Sequence, residues 1–382
     1  MAQSEYENKR PGPETGSGEP DGDYALGLRR LKGEGMAEDP VLGALLVQKA
    51  AERGLVEAQF TLAELFSSGT GVPQSFVEAA TWYCRAGRQN HKEAQFRAGR
   101  CYETGTGVEQ NAGEASRWYW LAAQRGHVDA QFALATLFHE GRGAPPDPAA
   151  AVLWLSKAAQ QGHPQAQEHL GRCFLRGSGV CLDYRGAAHW FQQAAAQGDI
   201  DAYAHLGRLY EEGLGLAQSF ADAVRHYRWA AERGHPQAAF YLGGCMAAGR
   251  GVDQDPTEAA RWVKKAALEG VVEAQTLLAR LYAHGVGVEA DSAESVKWFQ
   301  RAAAAGDRNA MIEAAQAFEL GRGVATNDVE AYKWFSLASA LGHPEAREGR
   351  DRVIQRMTSA QVIESQKLAT EMFQSIREKA LV

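Results

Sequence analysis

The amino-acid sequence predicts an all-α solenoid of nine tandem 36-residue helix-turn-helix repeats, followed by a C-terminal capping helix. Three observations predict this fold. Alanine recurs every 36 residues from Ala58 to Ala346, Gly-x-Gly stands at one fixed place in all nine repeats, and seven of the nine tryptophans share one position. No insertion breaks the register between residues 22 and 345. Repeat positions are counted from Ala58 as position 1.

The first helix of each repeat, helix A, is predicted from one apolar face. Positions 1, 5 and 9 are Ala, mostly Leu and mostly aromatic, and this i, i+4, i+8 spacing lies on one side of a helix. Position 6 is always Gly or Ala, which lets a neighbouring helix approach closely. Glycine fills position 12, from Gly33 to Gly321, and position 14, from Gly35 to Gly323. These glycines end helix A, because glycine tolerates a positive φ.

The second helix, helix B, is predicted from its ends and its aromatic position. Position 18 is Asp, Ser or Asn in every repeat, and each of these residues is a good N-cap. Five repeats carry glutamate three residues later, which predicts capping boxes: Glu78, Glu114, Glu258, Glu294 and Glu330. Position 25 holds the periodic tryptophans, which we predict to be core: Trp82, Trp118, Trp154, Trp190, Trp262, Trp298 and Trp334. Position 33 is Gly in eight repeats and Asn90 in the other, and it ends helix B.

The two ends of the chain depart from the repeat. Residues 1–21 are rich in Pro, Gly, Ser and Glu, so we expect a disordered tail. Residues 22–345 hold the nine repeats, and residues 346–382 lack the Gly-x-Gly, which predicts C-terminal capping helices. Thr358 and Gln361 have the spacing of a capping box. The helix predicted after them has four spaced apolar residues: Val362, Leu368, Met372 and Ile376.

Composition and charge exclude several classes of function. The chain of 382 residues has a net charge of −7, which argues against general binding to nucleic acid or anionic membrane. No stretch of about 18 apolar residues predicts a membrane span. The five cysteines are odd in number and form no CxxC, which indicates a reducing, cytoplasmic setting. The sequence has no HExxH, Gly-x-Ser-x-Gly, P-loop or zinc motif, so we predict no catalytic residue, no metal and no cofactor.

The pattern of these positions resembles the Sel-1-like repeat family, a relative of the tetratricopeptide repeat. Ala202 to Gly215 matches the first half of the family pattern closely, and Glu258 to Gly270 matches the second half. The resemblance covers residues 22–345. It implies a right-handed α/α superhelical solenoid with a concave inner surface. It also implies an adaptor or scaffold role, by analogy, since a fold does not fix a function.

The resemblance also indicates which side chains are free to bind a partner. In the tetratricopeptide repeat, the helix-A positions corresponding to 3, 7, 10 and 11 face the concave groove. Position 7 is arginine and position 3 is phenylalanine in four repeats each: Arg100, Arg172, Arg208, Arg280, Phe60, Phe96, Phe132 and Phe240. Arginine forks in an acidic protein favour an acidic or extended peptide, with the phenylalanines as apolar anchors. Alternatively, each arginine pairs with a nearby glutamate, such as Glu103 or Glu211, and each phenylalanine packs between repeats.

Cysteine and histidine also recur at fixed positions. Position 8 is cysteine in every second repeat from Cys101 through Cys173 to Cys245, and position 34 is histidine in five repeats: His91, His127, His163, His235 and His343. A thiol ladder or a metal site is one interpretation. Structural packing is favoured, because the equivalent cysteines lie two repeats apart and a residue that recurs at one repeat position is first of all structural.

We therefore expect a protein-interaction scaffold or adaptor, and not an enzyme, that binds a partner protein in the concave groove during signalling or complex assembly. One alternative is a hydrolase, which would need acid, base or nucleophile groups held together in a cleft. Another is a cell-envelope factor acting on peptidoglycan-like substrates, which would need an export signal that the sequence does not show.

Overall fold

The structure is a computed structural model that describes residues 19–143 and 145–380. It divides the chain into two compact units, unit 1 (Met1–Asp183) and unit 2 (Tyr184–Val382). The disorder predicted for the tail falls mostly on residues 1–18, which lie outside the described residues. The first helix begins at Pro20, within the predicted tail.

Both units consist of helices, and no strand occurs among the described residues. The helices described in unit 1 are α1 (Pro20–Lys32), α2 (Pro40–Glu52), α3 (Val56–Ser68), α4 (Phe76–Arg88), α5 (Lys92–Thr104), α6 (Ala112–Gln124), α7 (Val128–Glu140), α8 (Pro148–Gln160) and α9 (Pro164–Arg176). Those described in unit 2 are α10 (Tyr184–Ala196), α11 (Ile200–Glu212), α12 (Phe220–Glu232), α13 (Pro236–Ala248), α14 (Pro256–Leu268), α15 (Val272–His284), α16 (Ser292–Ala304), α17 (Arg308–Leu320), α18 (Asp328–Ala340), α19 (Ala346–Ile354) and α20 (Ser359–Ala380).

Neighbouring helices pack against one another along each unit, as a solenoid requires. Within a unit each helix contacts the next in sequence as far as α19, and α20 packs on α18. Odd-numbered helices up to α17 are helices A, and even-numbered helices up to α18 are helices B. The predicted all-α solenoid of tandem helix pairs is therefore confirmed. Among the described helices, none is both long enough and apolar enough to cross a bilayer.

The N-caps of helix B are present, but its capping boxes are incomplete. At Asn111, Oδ1 accepts the backbone N–H of Glu114 at 3.1 Å, as predicted. The backbone N–H of Asn111 itself donates to the carbonyl oxygen of Tyr102, near the end of helix A, at 2.8 Å. The carboxylate of Glu114 therefore has no cap N–H to accept, and it binds Arg117 at 2.8 Å instead. The prediction of a reciprocal box is wrong here, because the end of helix A already uses the cap donor.

The two glycines between helices A and B have different requirements. Position 12 ends helix A in the left-handed region, with φ between 66° and 76° in the nine repeats. Position 14 also has positive φ, and it lies against the preceding repeat: a Cβ on Gly287 would lie 1.9 Å from the carbonyl oxygen of Pro256. By contrast, a Cβ on Gly270, which ends a helix B at position 33, would meet nothing within 4 Å. Position 14 therefore needs glycine both for its conformation and for space.

The periodic tryptophans form part of the core, as predicted. Five are buried and two are half-buried: Trp82, Trp118, Trp154, Trp298 and Trp334, and then Trp190 and Trp262. The next position, 26, was not predicted as core, yet it supplies the largest fully buried side chains: Tyr119, Tyr227, Phe191 and Phe335. Helix B thus buries two consecutive rings in four of the nine repeats. In α6, Trp118 lies against Gly87 of the preceding helix B, and Tyr119 lies against Gly99 of α5.

The C-terminal cap follows the prediction. Thr358 N–H donates to Gln361 Oε1 at 2.9 Å, and Gln361 N–H donates to Thr358 Oγ1 at 3.3 Å, which completes a capping box. The helix that follows, α20, covers α18, and Ser365 Oγ donates to the carbonyl oxygen of Val329 at 2.8 Å. Its apolar residues Val362, Met372 and Ile376 pack on the core of unit 2. The last helix B is therefore not left with a bare apolar face.

Candidate partner-binding clefts

The four arginines predicted at position 7 lie at the surface, two in each unit. Arg100 and Arg280 are exposed, and neither has an ion pair with any residue that the structure describes. Arg172 and Arg208 lie 3.7 Å and 3.4 Å from a glutamate one turn away on their own helices. The Arg208 contact joins two partly exposed groups and contributes little stability. Glu168 is buried, but its 3.7 Å contact with Arg172 is too long for a hydrogen bond, so the guanidinium donors of Arg172 are available to a partner.

The glutamates proposed as alternative partners for these arginines are occupied elsewhere. Glu103 Oε2 accepts the hydroxyl of Tyr119 at 2.6 Å, and Glu103 Oε1 pairs with Arg142 of the next repeat at 3.0 Å. Burial, and then this hydrogen bond, raise the pKa of Tyr119 far above its ordinary value, so the hydroxyl remains a donor. The same contact recurs in unit 2 between Glu211, Tyr227 and Arg250. These glutamates link successive repeats, and Arg100 is left without an ion pair to them.

A cleft in unit 1, cleft 1, lies between the successive helices A α7 and α9. Its volume is about 150 Å³. Its lining consists of Ala135, Thr136, His139, Glu140, Leu155, His169, Arg172, Cys173, Arg176 and Ser178. The carboxylate of Glu140 is already bound by Arg142 Nε at 2.5 Å. The remaining titratable lining groups are two arginines, two histidines and the thiol of Cys173, whose pKa is raised by burial, so the cleft suits an anionic group.

A cleft in unit 2, cleft 2, lies between α15 and α17 and has a volume of about 380 Å³. Its lining consists of Arg280, Ala283, His284, Ser292, Ser295, Val296, Phe299, Glu313, Gln316, Ala317 and Arg322. Both clefts lie between the helices A of adjacent repeats and over position 26, which is Leu155 in cleft 1 and Phe299 in cleft 2. One arginine of the predicted set lines each cleft, whereas Arg100 and Arg208 line neither.

The four phenylalanines predicted as anchors are half-buried, and they line neither cleft. Three of them stack on the histidine at position 34 of the same repeat, with ring centroids 4.5 to 4.7 Å apart: Phe60 on His91, Phe96 on His127 and Phe132 on His163. The fourth, Phe240, lies 5.7 Å from Tyr241. The geometry favours a packing role for these rings, within the repeat rather than between repeats. Their role as anchors stays a prediction.

Four of the five recurring histidines are N-caps of the helix A that follows them: His91, His127, His163 and His235. His235 Nδ1 accepts the backbone N–H of Ala238 at 3.1 Å, and its Nε2 lies 3.2 Å from the carboxylate of Asp201. These contacts assign a neutral ring with its proton on Nε2. Burial lowers the pKa of His91, His163 and His235, although nearby carboxylates act in the opposite direction. The position is structural, in agreement with the sequence-based interpretation.

We predict that these three caps make the protein sensitive to mild acid. Unfolded histidine titrates near about pH 6.5, whereas the three folded rings take up protons only at lower pH. The unfolded state therefore binds protons at a higher pH than the folded state does. The free energy of unfolding is therefore largest above about pH 6.5 and falls as the pH drops below that value. The variant His91→Asn/His163→Asn/His235→Asn keeps a cap acceptor that does not titrate. Its melting temperature should fall less than that of the wild type between about pH 7.5 and about pH 5.5. Equal falls would contradict this account.

The position-8 cysteines pack in the core and show no sign of reactivity. Cys101, Cys173 and Cys245 are buried free thiols. Burial raises the pKa of Cys101 and of Cys245 to about 11, so both are protonated at neutral pH and are poor nucleophiles. Among residues 19–143 and 145–380, no group of three His, Cys, Asp or Glu side chains is placed to hold a metal ion.

Sequence reasoning missed three residues of cleft 1: His139, His169 and Arg176. They occupy positions 10, 4 and 11, whose residue types change from repeat to repeat, so repetition does not mark them. Positions 10 and 11 were expected to face a partner. A search for basic side chains at these positions in adjacent repeats would have found His139 and Arg176 beside Arg172.

Comparison with known proteins agrees with the fold. A family model described as Sel1 repeat matches nine consecutive segments, from residues 20–55 to residues 308–343. The chain is similar to a protective antigen present in uropathogenic Escherichia coli strains that displays an SLR fold, with 28% identity, a TM-score of 0.65, and coverage of 94% of this chain and 85% of that chain. It is also similar to a Sel1 repeat protein from Oxalobacter formigenes, with 35% identity, a TM-score of 0.61, and coverage of 77% and 85%. Among curated proteins, no relative matches the chain.

Proposed function

The chain belongs to the Sel1 repeat family, and from that premise we propose that it is a protein-interaction scaffold and not an enzyme. In this proposal it holds an acidic segment of a partner protein against the clefts between its helices A. The observation that carries the proposal is the exposed arginine in each cleft. Arg280 lines cleft 2 without an ion pair to any described residue, and Arg172 lines cleft 1 with only a 3.7 Å contact.

Charge supports an acidic partner. The chain as a whole carries a net charge of −7, yet each cleft is lined by two arginines. The net negative charge of the chain repels most acidic surfaces at a distance. The local positive charge of a cleft therefore attracts only an acidic segment that reaches into it. A guanidinium binds a carboxylate through two parallel hydrogen bonds, which adds geometric selection to the charge.

A cytoplasmic setting is part of the same proposal. Its support is the chemistry of the cysteines. Cys84, Cys101, Cys173, Cys181 and Cys245 are free thiols. Free thiols persist where glutathione and thioredoxin keep cysteine reduced.

The test is recovery of partners from the native cell with the full chain as bait. We expect the variant Arg172→Glu/Arg280→Glu to recover its partners at least about tenfold less than the wild type, because charge reversal turns each attraction into a repulsion. Quantitative mass spectrometry of the bound proteins measures this ratio. Circular dichroism should show unchanged helicity, since both side chains are at least partly exposed.

The matched control is Arg117→Glu/Arg261→Glu. It also reverses one arginine in each unit, on helices B, and both of these side chains are largely exposed. The control should recover partners as the wild type does. Equal recovery with the cleft variant would reject the clefts as the binding site. No protein enriched over empty resin would reject the scaffold itself.

A further inference from the structure

We propose that cleft 1 binds a phosphoryl group carried on a side chain of the partner segment. The inference rests on the proposed function, which it deepens by naming the chemistry of the bound group. It stands on the density of hydrogen-bond donors in cleft 1, on the size of the cleft, and on its difference from cleft 2.

The donors of cleft 1 converge from one helix. Arg172 and Arg176 are four residues apart on α9, so they lie one above the other on the same face. Both line the cleft. Arg176 is exposed and has no ion pair with a described residue. The contact of Arg172 with Glu168, at 3.7 Å, is too long for a hydrogen bond, so the guanidinium donors of both side chains are available.

Two arginines on one face carry twice the charge of a single carboxylate. A guanidinium carries five N–H donors and one positive charge, whereas a carboxylate offers two oxygens in one plane and one negative charge. A phosphoryl group has three acceptor oxygens and a charge of about −1.5 to −2 at neutral pH, so it can meet both forks at once. His139 and His169 line the same cleft, and an imidazole N–H can donate a hydrogen bond to a phosphoryl oxygen. The one acidic lining residue, Glu140, is already neutralised by Arg142.

The size of cleft 1 suits one head group. Its volume of about 150 Å³ has room for a phosphorylated side-chain end. The apolar side chain of Leu155 lies in the same lining, where the methylene of the bearing residue can rest.

Cleft 2 provides the comparison within the same chain. Its second helix places Gln316 where cleft 1 has Arg172, and Glu313 where cleft 1 has His169. Cleft 2 therefore lacks the paired arginines of one helix face, and it places a carboxylate beside any incoming anion. We expect it to accept a carboxylate side chain through Arg280 and to gain nothing from a phosphoryl group.

The experiment measures binding of three fluorescein-labelled peptides to the full chain by fluorescence anisotropy. The peptides have the sequence Gly-Gly-Ser-Gly-Gly with the serine phosphorylated, unmodified, or replaced by glutamate. We expect the phosphopeptide to bind the wild type roughly tenfold more tightly than the glutamate peptide, and Arg176→Gln to weaken it roughly tenfold. Arg117→Gln is the control, because Arg117 is largely exposed and lines neither cleft, and it should leave phosphopeptide binding unchanged. Inorganic phosphate should displace the phosphopeptide.

Three results would overturn the inference: equal binding of the phosphorylated and glutamate peptides, equal weakening by Arg117→Gln and Arg176→Gln, or no displacement by inorganic phosphate. Failure of the proposed function is a separate result. If Arg172→Glu/Arg280→Glu loses the cellular partner while the peptides show no phosphate preference, the phosphoryl inference falls and the scaffold stands. If the phosphopeptide preference holds while partner recovery is unchanged, cleft 1 is a phosphoryl site and the clefts are rejected as the binding site of the recovered partners.

Discussion

Replacing Gly287 by alanine should destabilise unit 2 by at least about 3 kcal/mol, which is among the larger effects that single substitutions produce. An alanine in the left-handed region costs about 1–2 kcal/mol by itself. At Gly287, with φ of 69°, the added Cβ would also lie 1.9 Å from the carbonyl oxygen and 2.5 Å from the carbonyl carbon of Pro256. Both are backbone atoms at the start of α14, so the strain is relieved only if the two repeats separate. Separation exposes the buried rings between them.

The matched control is Gly270→Ala. Gly270 also has a positive φ, of 90°, but its Cβ would meet nothing within 4 Å, so only the conformational cost of about 1–2 kcal/mol remains. Because a repeat array need not unfold in one step, amide hydrogen exchange in α14, α15 and α16 should accompany urea unfolding. Equal losses of stability in the two variants would show that the close approach of position 14 does not hold the repeats together.

The sequence alone predicted the order and the ends of the helices, because these depend on local chemistry. Glycine with positive φ, an N-cap side chain and an apolar face each leave a mark within a few residues. Asn90 is an example: among the described residues it is the one residue other than glycine with a positive φ. Its role in ending helix B was predicted from its place at position 33 of the repeat. The second reason for glycine at position 14 could not be predicted. It comes from the approach of another repeat, which the period does not specify.

The candidate site could be predicted only in part for the same reason. Arg100 and Arg280 occupy one repeat position and are both exposed, but only Arg280 lines a cleft. The difference depends on side chains of the adjacent repeats. The hydrogen bond from Tyr119 to Glu103 could not be predicted either. Several donors lie within reach of that carboxylate, and sequence spacing does not indicate which of them it binds.

One contact was within reach of the sequence. Phenylalanine at position 3 and histidine at position 34 occur together in three repeats, and these are the three stacked pairs: Phe60 with His91, Phe96 with His127 and Phe132 with His163. The repeat of Phe240 has Val271 at position 34, and there the ring lies beside Tyr241 instead. The joint recurrence of these two positions is enough, by itself, to indicate that the three phenylalanines are packing residues.

Helix α6 contains two tryptophans, one on the 36-residue period and one off it, so it tests directly whether the period selects the core. Trp118 is on the period and 9% exposed, and Trp120 is off the period and 43% exposed. Trp118 belongs to the core of unit 1, and its ring lies against Gly87 of the preceding helix B, where a Cβ would come within 2.8 Å of Trp118 Cζ3. Trp118→Ala should therefore leave a cavity between two repeats and cost about 3–5 kcal/mol.

Trp120→Ala removes the same side chain from the same helix and should cost clearly less, because 43% of the surface of Trp120 is already exposed to water. Helix propensity does not separate the two variants, since both place alanine inside α6. Urea denaturation followed by circular dichroism measures the unfolding free energy of both variants. Because both change tryptophan to alanine in the same helix, the difference between the two values reports the effect of burial alone. A loss at Trp120 as large as that at Trp118 would mean that the 36-residue period does not select the core, and the assignment of the exposed arginines as binding residues would lose its basis.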